Sequence, residues 1–200
     1  MKKRLHLEEV SDPAVLRAMQ AVPREEFVPG HLRDAAYDDC ALPIACGQTI
    51  SQPAVVAYMT EQLHLTPGDR VLEVGTGSGY HAAVLAEIVR DVYSIERIPD
   101  LARTAGARLA RLGYANVHVR EGDGTQGWPE AAPFNAIMVT AAADDIPPAL
   151  LAQLGVSGRL IMPVGGLYGE QVLILLERQA SDEFVRHRLW PVRFVPLLSG

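Results

Sequence analysis

Ser51 belongs to a cluster of small polar side chains just before a predicted helix. Thr49, Ser51 and Gln52 precede Pro53, and proline is favoured at the first position of a helix. Free backbone N–H groups and the positive end of the helix dipole attract carboxylates, and the hydroxyl and amide groups add further donors. The simpler interpretation is that Ser51 or Gln52 only caps the helix. The cluster therefore indicates either a carboxylate site or a helix cap.

A second group of residues has the pattern of a nucleotide site. The apolar run at 71–74 predicts a buried parallel strand, glycines follow at Gly75, Gly77 and Gly79, and 81–89 has the apolar spacing of a helix. A strand, a glycine turn and a helix form the start of a nucleotide-binding βαβ unit. Glycines allow a sharp turn and leave main-chain N–H groups open to a ligand, because no Cβ stands in the way.

Glu96 indicates which kind of nucleotide this unit would bind. It ends the next predicted strand, at 91–95, about 20 residues beyond the glycines. A carboxylate at this place suits a ribose diol, which offers two hydroxyl donors. The pattern therefore predicts an adenosine-type cofactor.

The glycine spacing alone fits two such cofactors. Glu73 before the turn completes the pattern of S-adenosylmethionine (SAM) methyltransferases, whereas the run from Gly77 to Ala82 also fits the dinucleotide pattern G-x-G-x-x-A. The bulk of Tyr80 and His81 crowds the place that a pyrophosphate needs. Glu73 would repel a diphosphate and attract the ammonium group of SAM. These features favour SAM, with a dinucleotide or a turn without ligand as the alternatives.

Two later strand ends would face the same ligand. The predicted strand at 116–120 is followed by Asp123 and Gly124, where an aspartate can accept a hydrogen bond from an adenine amino group and a glycine admits the ring. A plain Gly-Asp-Gly turn is the alternative. Thr140 ends the predicted strand at 134–140, and small residues there leave room for a ligand.

Composition limits the class of protein. The chain has 200 residues, of which 48% are hydrophobic, and this suits one domain with a substantial core. The net charge of −6 argues against a nucleic-acid surface. No apolar run approaches the ~20 residues that span a bilayer. Cys40 and Cys46 lack metal-ligand spacing, so we expect no metal site and two reduced thiols in a cytoplasmic protein.

The order of predicted elements gives the fold. Strands and helices alternate from about residue 66, which predicts an α/β three-layer sandwich with a seven-stranded sheet that is parallel except near one edge. We expect one SAM-dependent methyltransferase domain over 1–200, with a Rossmann-like core at 66–200. Residues 1–65 form an N-terminal helical extension that carries the Ser51 segment. The apolar tail at 193–197 is expected to dock on the sheet.

Several stretches together resemble the protein-L-isoaspartate O-methyltransferase family. They are Val-Pro-Arg-Glu-Glu-Phe-Val at 22–28, Ala-Leu-Pro-Ile at 41–44, Gly-Gln-Thr-Ile-Ser-Gln-Pro at 47–53, Leu-Glu-Val-Gly-Thr-Gly-Ser-Gly-Tyr at 72–80, Gly-Asp-Gly at 122–124 and Val-Arg-Phe-Val-Pro-Leu at 192–197. The run at 47–53 is the specific one, because a generic SAM domain has no reason to carry it. Cys40, Ala45 and Cys46 depart from the family pattern beside this run.

The resemblance implies a protein repair activity. The enzyme would transfer a methyl group from SAM to the α-carboxylate of isoaspartyl residues in damaged proteins and peptides, leaving S-adenosyl-L-homocysteine. The methyl ester would then collapse to a succinimide. The alternatives are a SAM-dependent methyltransferase for another small carboxylate, and a nucleotide-binding domain without activity. We expect a monomer that binds neither nucleic acid nor membranes.

The motifs carry the expected site residues. Ser51 is the catalytic candidate, as a donor that fixes the carboxylate and not as a nucleophile, since His81 begins the cofactor helix and is a poor base partner. The expected cofactor contacts are Glu73, Gly75, Thr76, Gly77, Ser78, Gly79, Glu96, Arg97, Asp123, Gly124 and Thr140. The expected substrate contacts are Thr49, Ile50, Gln52 and Val195.

Overall fold

The computed structural model describes residues 10–166, 169–180 and 183–199. The first nine residues of the expected extension therefore lie outside the described residues. The α-helices are α1 Pro13–Ala21, α2 Pro53–Gln62, α3 Tyr80–Ala86, α4 Pro99–Arg111 and α5 Pro148–Gln153. The strands are β1 Leu42–Pro43, β2 Thr49–Ile50, β3 Arg70–Val74, β4 Asp91–Glu96, β5 Val117–Glu121, β6 Phe134–Val139, β7 Leu154–Val164, β8 Gln171–Arg178 and β9 Phe184–Val192. Short 3-10 helices cover Arg24–Phe27, Gly30–Ala35, Ala45–Gly47, Gly124–Gln126 and Pro129–Ala131.

Seven strands form one sheet in the order β5-β4-β3-β6-β7-β8-β9. The pairs from β5 to β7 are parallel, and β8 and β9 add to the edge as antiparallel strands. This confirms the predicted α/β class and the mostly parallel seven-stranded sheet. The chain runs outward from β3 through β4 to β5 and then returns to place β6 beside β3. Such a reversal opens a crevice at the carboxyl ends of β3 and β6.

The sheet is buried on both faces by two separate apolar cores. Val71 of β3 belongs to the core that also contains residues of the N-terminal helices, such as Met19 and Met59. Its neighbour Leu72 belongs to the second core, with Ile137 and the residues around α5. Successive strand side chains point to opposite faces, so a continuous apolar strand such as β3 supplies both cores. Among the described residues, none of the helices has the length and apolar character needed to cross a bilayer.

The helix ends follow local sequence signals. Proline occupies the first turn of α1, α2, α4 and α5, where its missing N–H costs nothing. The Asp12 carboxylate accepts a hydrogen bond from the Ala14 N–H at 2.7 Å and caps α1. Gly113, with φ +90°, follows α4 in the left-handed conformation that ends a helix. These signals place α2 directly after the Ser51 cluster.

Candidate active site

A cavity of about 360 Å³ lies at the carboxyl ends of β3, β4 and β6. Four segments supply most of its lining: 48–52, 74–78, 95–98 and 191–198. The first comes from the loop before α2, the second is the glycine turn, the third follows β4, and the fourth is the C-terminal tail. The segment that carries Ser51 and the glycine turn therefore face one space, although 22 residues lie between Ser51 and Val74 in sequence.

Most of the expected site residues line this cavity. Those that do are Thr49, Ile50, Ser51, Gln52, Gly75, Thr76, Gly77, Ser78, Glu96, Arg97, Gly124, Thr140 and Val195. Glu73, Gly79 and Asp123 are not among the lining residues.

The first glycine of the turn is required by a close neighbour as well as by its backbone. Gly75 has φ +98°, and a Cβ built there would lie 2.4 Å from Thr140 Oγ1. The Thr140 hydroxyl donates to the carbonyl of Gly75 at 2.8 Å, which joins the turn to the end of β6. Gly79 also has a left-handed backbone, with φ +87°, and its Cβ would lie 3.2 Å from Leu109 of α4. This is why the third glycine of the motif supports α3 and does not line the cavity.

Glu96 joins the cavity to the glycine turn. Its Oε2 accepts a hydrogen bond from the Gly77 N–H at 2.9 Å, and its Oε1 accepts one from the Ile98 N–H, also at 2.9 Å. Each carboxylate oxygen has lone pairs for a further donor. Glu96 can therefore brace the turn and still accept from a diol in the cavity.

Glu73 lies below the turn and not in the cavity. It is fully buried, its Oε2 accepts a hydrogen bond from the Ser94 hydroxyl, and its Oε1 has no hydrogen-bond partner among the described residues. Burial raises the pKa of Glu73 to about 8, and the nearby Glu96 charge acts in the same direction. A protonated, enclosed carboxyl cannot offer the free negative charge that we expected to meet an ammonium group. The expected direct contact is corrected for this reason: Glu73 points into the protein.

Asp123 lies in the expected loop after β5, and it has a local structural role there. Its Oδ1 accepts hydrogen bonds from the N–H and the hydroxyl of Thr125, at 2.8 Å and 2.7 Å. These bonds cap the 3-10 helix Gly124–Gln126. These local bonds are the ones that the plain-turn alternative expects, and the adenine contact stays a prediction. Gly124 does line the cavity, and it must be small because a Cβ there would lie 2.3 Å from Val74 Cγ1.

The cap of α2 is made by a residue that the sequence did not indicate. Asp39 Oδ1 accepts from the Ala54 N–H at 3.1 Å, and its Oδ2 accepts from Gln52 Nε2 at 2.8 Å. Gln52 does occupy the N-cap position, as one of the two expected cap residues, but its side chain makes no capping hydrogen bond to the helix. Among the described residues the Ser51 hydroxyl has no hydrogen-bond partner. It is therefore available to a ligand in the cavity.

His81 lines the cavity close to the turn, at the place that its bulk was expected to crowd. Its Nε2 lies 2.9 Å from the hydroxyl of Thr60, and that hydroxyl donates to the Val56 carbonyl at 2.8 Å. The Thr60 oxygen must then accept from His81 Nε2–H, which leaves Nδ1 without a proton. Burial lowers the pKa of His81 to about 3. The imidazole is therefore a neutral group near neutral pH.

The C-terminal tail closes one side of the cavity. The Ala142 N–H donates to the Val195 carbonyl at 2.8 Å, and the Leu197 N–H donates to the Ala142 carbonyl at 2.7 Å. The side chain of Gln171 adds bonds to both backbone groups of Phe194. The expected docking of the tail on the sheet is confirmed, and of its residues only Val195 was expected in the site.

Comparison with known proteins gives one consistent family. A sequence model described as protein-L-isoaspartate(D-aspartate) O-methyltransferase (PCMT) matches residues 2–200. A protein-L-isoaspartate O-methyltransferase 1 from Geotalea uraniireducens is 57% identical over 191 residues, which cover 96% of this chain and 87% of that one. A protein-L-isoaspartate O-methyltransferase 2 from Pelobacter propionicus is 59% identical over 191 residues, which cover 96% and 85%.

Solved structures agree with the sequence relatives. A structure of a protein-L-isoaspartate O-methyltransferase has a TM-score of 0.85 and 32% identity, and the match covers 94% of this chain and 62% of that one. A Plasmodium falciparum structure described as such a methyltransferase in complex with S-adenosyl-L-homocysteine has a TM-score of 0.83 and 28% identity, with 96% and 93% covered. The chain belongs to the protein-L-isoaspartate(D-aspartate) O-methyltransferase family.

Proposed function

We propose that this chain transfers a methyl group from SAM to the free α-carboxylate of isoaspartyl residues in damaged proteins and peptides. The main support for the proposal is the shared cavity. In it, the Ser51 hydroxyl, which has no hydrogen-bond partner among the described residues, faces the same space as the glycine turn and Glu96. The names of the relatives supply the isoaspartyl carboxylate as the acceptor.

The residues present fit SAM. Gly75 and Gly77 expose backbone without a Cβ, and Glu96 has acceptor capacity for the two ribose hydroxyls. Arg97, Thr76, Ser78, Gly124 and Thr140 complete the proposed cofactor contacts, while Glu73, Gly79 and Asp123 support them from behind. When bound, SAM supplies a methyl group on a positively charged sulfur that is already a good leaving group.

The protein has little proton chemistry to perform. A carboxylate is ionised at neutral pH, so it attacks without a general base. The neutral His81 and the protonated Glu73 agree with this, because neither provides a charged base next to Ser51. The work of the site is placement: Ser51 donates a hydrogen bond to one carboxylate oxygen and leaves the other to react. Thr49, Ile50, Gln52 and Val195 are the proposed contacts to the rest of the substrate.

We also propose that residues 1–200 act as one domain, in which 1–65 carry the substrate loop and 66–200 form the Rossmann-like core. The apolar core shared by Met19, Met59 and Val71 supports a single unit. We also propose that the protein is a monomer. The exposed free thiols of Cys40 and Cys46 suit a reducing compartment such as the cytoplasm.

The proposal is tested by a pair of peptides that differ only in the linkage of one aspartate. Each peptide is incubated with the protein and methyl-labelled SAM, and base-labile label is counted. We expect the isoaspartyl peptide to be methylated and its normal-aspartyl twin to remain unlabelled. Equal labelling of both peptides, or of neither, would contradict the proposal.

A further inference from the structure

Arg24 is a buried cation directly behind the Ser51 side of the cavity. Its side chain is 0% exposed. Its Nε donates to the Ala36 carbonyl at 2.7 Å, and its Nη2 donates to the carbonyl of Ser51 at 2.8 Å. The guanidinium lies over the ring of Tyr80, with 4.6 Å between the guanidinium carbon and the ring centroid. Ser51 and Tyr80 both line the cavity, so one layer of residues separates Arg24 from it.

The described residues compensate the buried charge of Arg24 only in part. Among the described residues Arg24 forms no ion pair, and its Nη1 is buried without a hydrogen-bond partner. The groups near enough to favour its charged form are Tyr80, Cys40 and Asp39. Burial raises the pKa of Tyr80 to about 12, so that ring is neutral, and the Asp39 carboxylate favours the charged form of Arg24 from beyond ion-pair distance.

A buried, unpaired cation is costly for folding, and such a charge is commonly compensated by an anion nearby. The neighbouring hydroxyl that faces the cavity belongs to Ser51, whose hydrogen-bonding capacity is unused. An anion bound at Ser51 would lie in the field of Arg24, through a region of low dielectric where charge interactions are strong.

We propose that Arg24 is a positioning residue for the substrate carboxylate. It holds the Ser51 carbonyl and thereby fixes the direction of the Ser51 hydroxyl, and its charge makes the site prefer an anionic group over a neutral one. The inference rests on the proposed function, because it takes the isoaspartyl carboxylate as the anion. Arginine suits the task better than lysine, since its planar fork reaches two carbonyls while it stacks on Tyr80.

The test compares two peptides that differ in charge at the reacting position. One carries the isoaspartyl α-carboxylate, and the other carries an α-carboxamide there. Their dissociation constants are measured by calorimetry on protein saturated with S-adenosyl-L-homocysteine, for the wild type, Arg24→Met and Arg24→Lys. Leu160→Ala is the matched control, because it truncates a fully buried side chain in the core on the other face of the sheet.

For the wild type we expect the carboxylate peptide to bind about 10-fold or more tightly than the carboxamide peptide. This ratio should fall towards one in Arg24→Met. Arg24→Lys keeps the charge and should keep most of the ratio. Both peptides should bind more weakly to this variant, because an ammonium group cannot hold the Ala36 and Ser51 carbonyls as the planar guanidinium does. Leu160→Ala should lower the melting temperature and keep the wild-type ratio.

A wild-type ratio near one overturns the inference without any variant, which covers the case in which Arg24→Met does not fold. A wild-type ratio retained in Arg24→Met, or lost equally in Arg24→Lys, also overturns it.

Methylation of the isoaspartyl peptide by the wild type is measured in parallel. If the wild type methylates that peptide while the ratio is near one, the inference fails and the proposed function stands. If no methylation occurs, the proposed function itself fails.

Discussion

At the scale of single residues, the proposed chemistry uses the free hydroxyl of Ser51, and neither His81 nor Glu73 offers a charged base to it. Asp39 takes over the cap of α2, and this releases Ser51 from the role that a serine before Gln-Pro commonly has. His81 is neutral because it is buried, and Glu73 keeps its proton for the same reason. A carboxylate that is already ionised needs an oriented donor more than it needs a base.

Replacing Ser51 by alanine tests this role. One hydrogen bond to a charged group contributes about 1.5–3 kcal/mol, so we expect kcat/KM for an isoaspartyl peptide to fall about 10- to 100-fold. The dissociation constant of S-adenosyl-L-homocysteine should stay within about 2-fold, because the glycine turn and Glu96 are unchanged. Ser51→Thr keeps a hydroxyl and should lose less activity. A Ser51→Ala protein that no longer binds S-adenosyl-L-homocysteine would show that Ser51 serves the cofactor instead.

The raised pKa of Glu73 implies that the free energy of unfolding depends on pH. Its pKa is about 8 in the folded protein against 4.5 as the reference value, so between these values the folded state holds a proton that the unfolded chain has released. Stability must then fall as the pH rises through this window, by up to about 1.4 kcal/mol per pH unit. Glu73→Gln should not lose stability in this way, because glutamine does not titrate. Urea unfolding at pH 5, 6.5 and 8 should show the variant gaining stability relative to the wild type, and a constant difference would contradict the assignment.

At the scale of elements, the turn between β3 and α3 is both the most predictable feature and the most constrained. The strand, the glycines and the helix follow one another along the chain, so the sequence predicted them directly. The contacts around the turn, in contrast, are made by residues that are distant in sequence. Thr140 approaches Gly75 closely enough to exclude a Cβ, and that contact joins residues 65 positions apart.

Gly75→Ala should therefore damage the cofactor site. The change forces a left-handed backbone on alanine, which costs about 1–2 kcal/mol, and it adds a steric overlap with Thr140. We expect the dissociation constant of S-adenosyl-L-homocysteine to rise more than about 10-fold. Gly47→Ala is the matched control: Gly47 has φ +69° but nothing within 4 Å of its Cβ position. If calorimetry finds equal losses in the two variants, backbone strain alone explains the effect.

What the sequence did not reveal has a common physical cause. Asp39 lies in an irregular segment, and its bond to the Ala54 N–H depends on how that segment folds back onto α2. Asp123 caps the turn after β5 through hydrogen bonds to Thr125, which the Gly-Asp-Gly pattern allowed but did not require. The burial of Glu73 follows from its place in β3, a central strand that is covered on both faces. The motifs therefore predicted most of the residues that line the cavity. The roles of the residues behind the lining could be recognised only from the tertiary structure.

At the scale of the whole molecule, both ends of the chain close one crevice. The N-terminal part contributes the Ser51 loop, and the C-terminal part contributes the tail at 191–198. Tyr58 of α2 stacks on Trp190 of β9, with ring centroids 3.7 Å apart and planes 9° from parallel. This contact links the two ends beside the cavity. The sheet between them supplies the cofactor side of the site.

Because parts from the whole chain meet at the cavity, cofactor binding should stabilise global folding. A ligand at about 100 times its dissociation constant adds about 2.7 kcal/mol, which corresponds to a rise of about 5–10 °C in Tm for a domain of this size. We expect this shift with S-adenosyl-L-homocysteine and no shift with NAD, measured by scanning calorimetry. A shift with NAD instead would revive the dinucleotide interpretation of the glycine motif.

The most direct test of the account is the distance from Ser51 Oγ to the substrate carboxylate. It would be measured in a crystal structure of the protein with S-adenosyl-L-homocysteine and an isoaspartyl peptide. We predict a carboxylate oxygen within hydrogen-bond distance of Ser51 Oγ, at about 2.5–3.0 Å, inside the cavity that the glycine turn lines. An isoaspartyl carboxylate bound elsewhere, with Ser51 Oγ in contact only with water, would contradict the account.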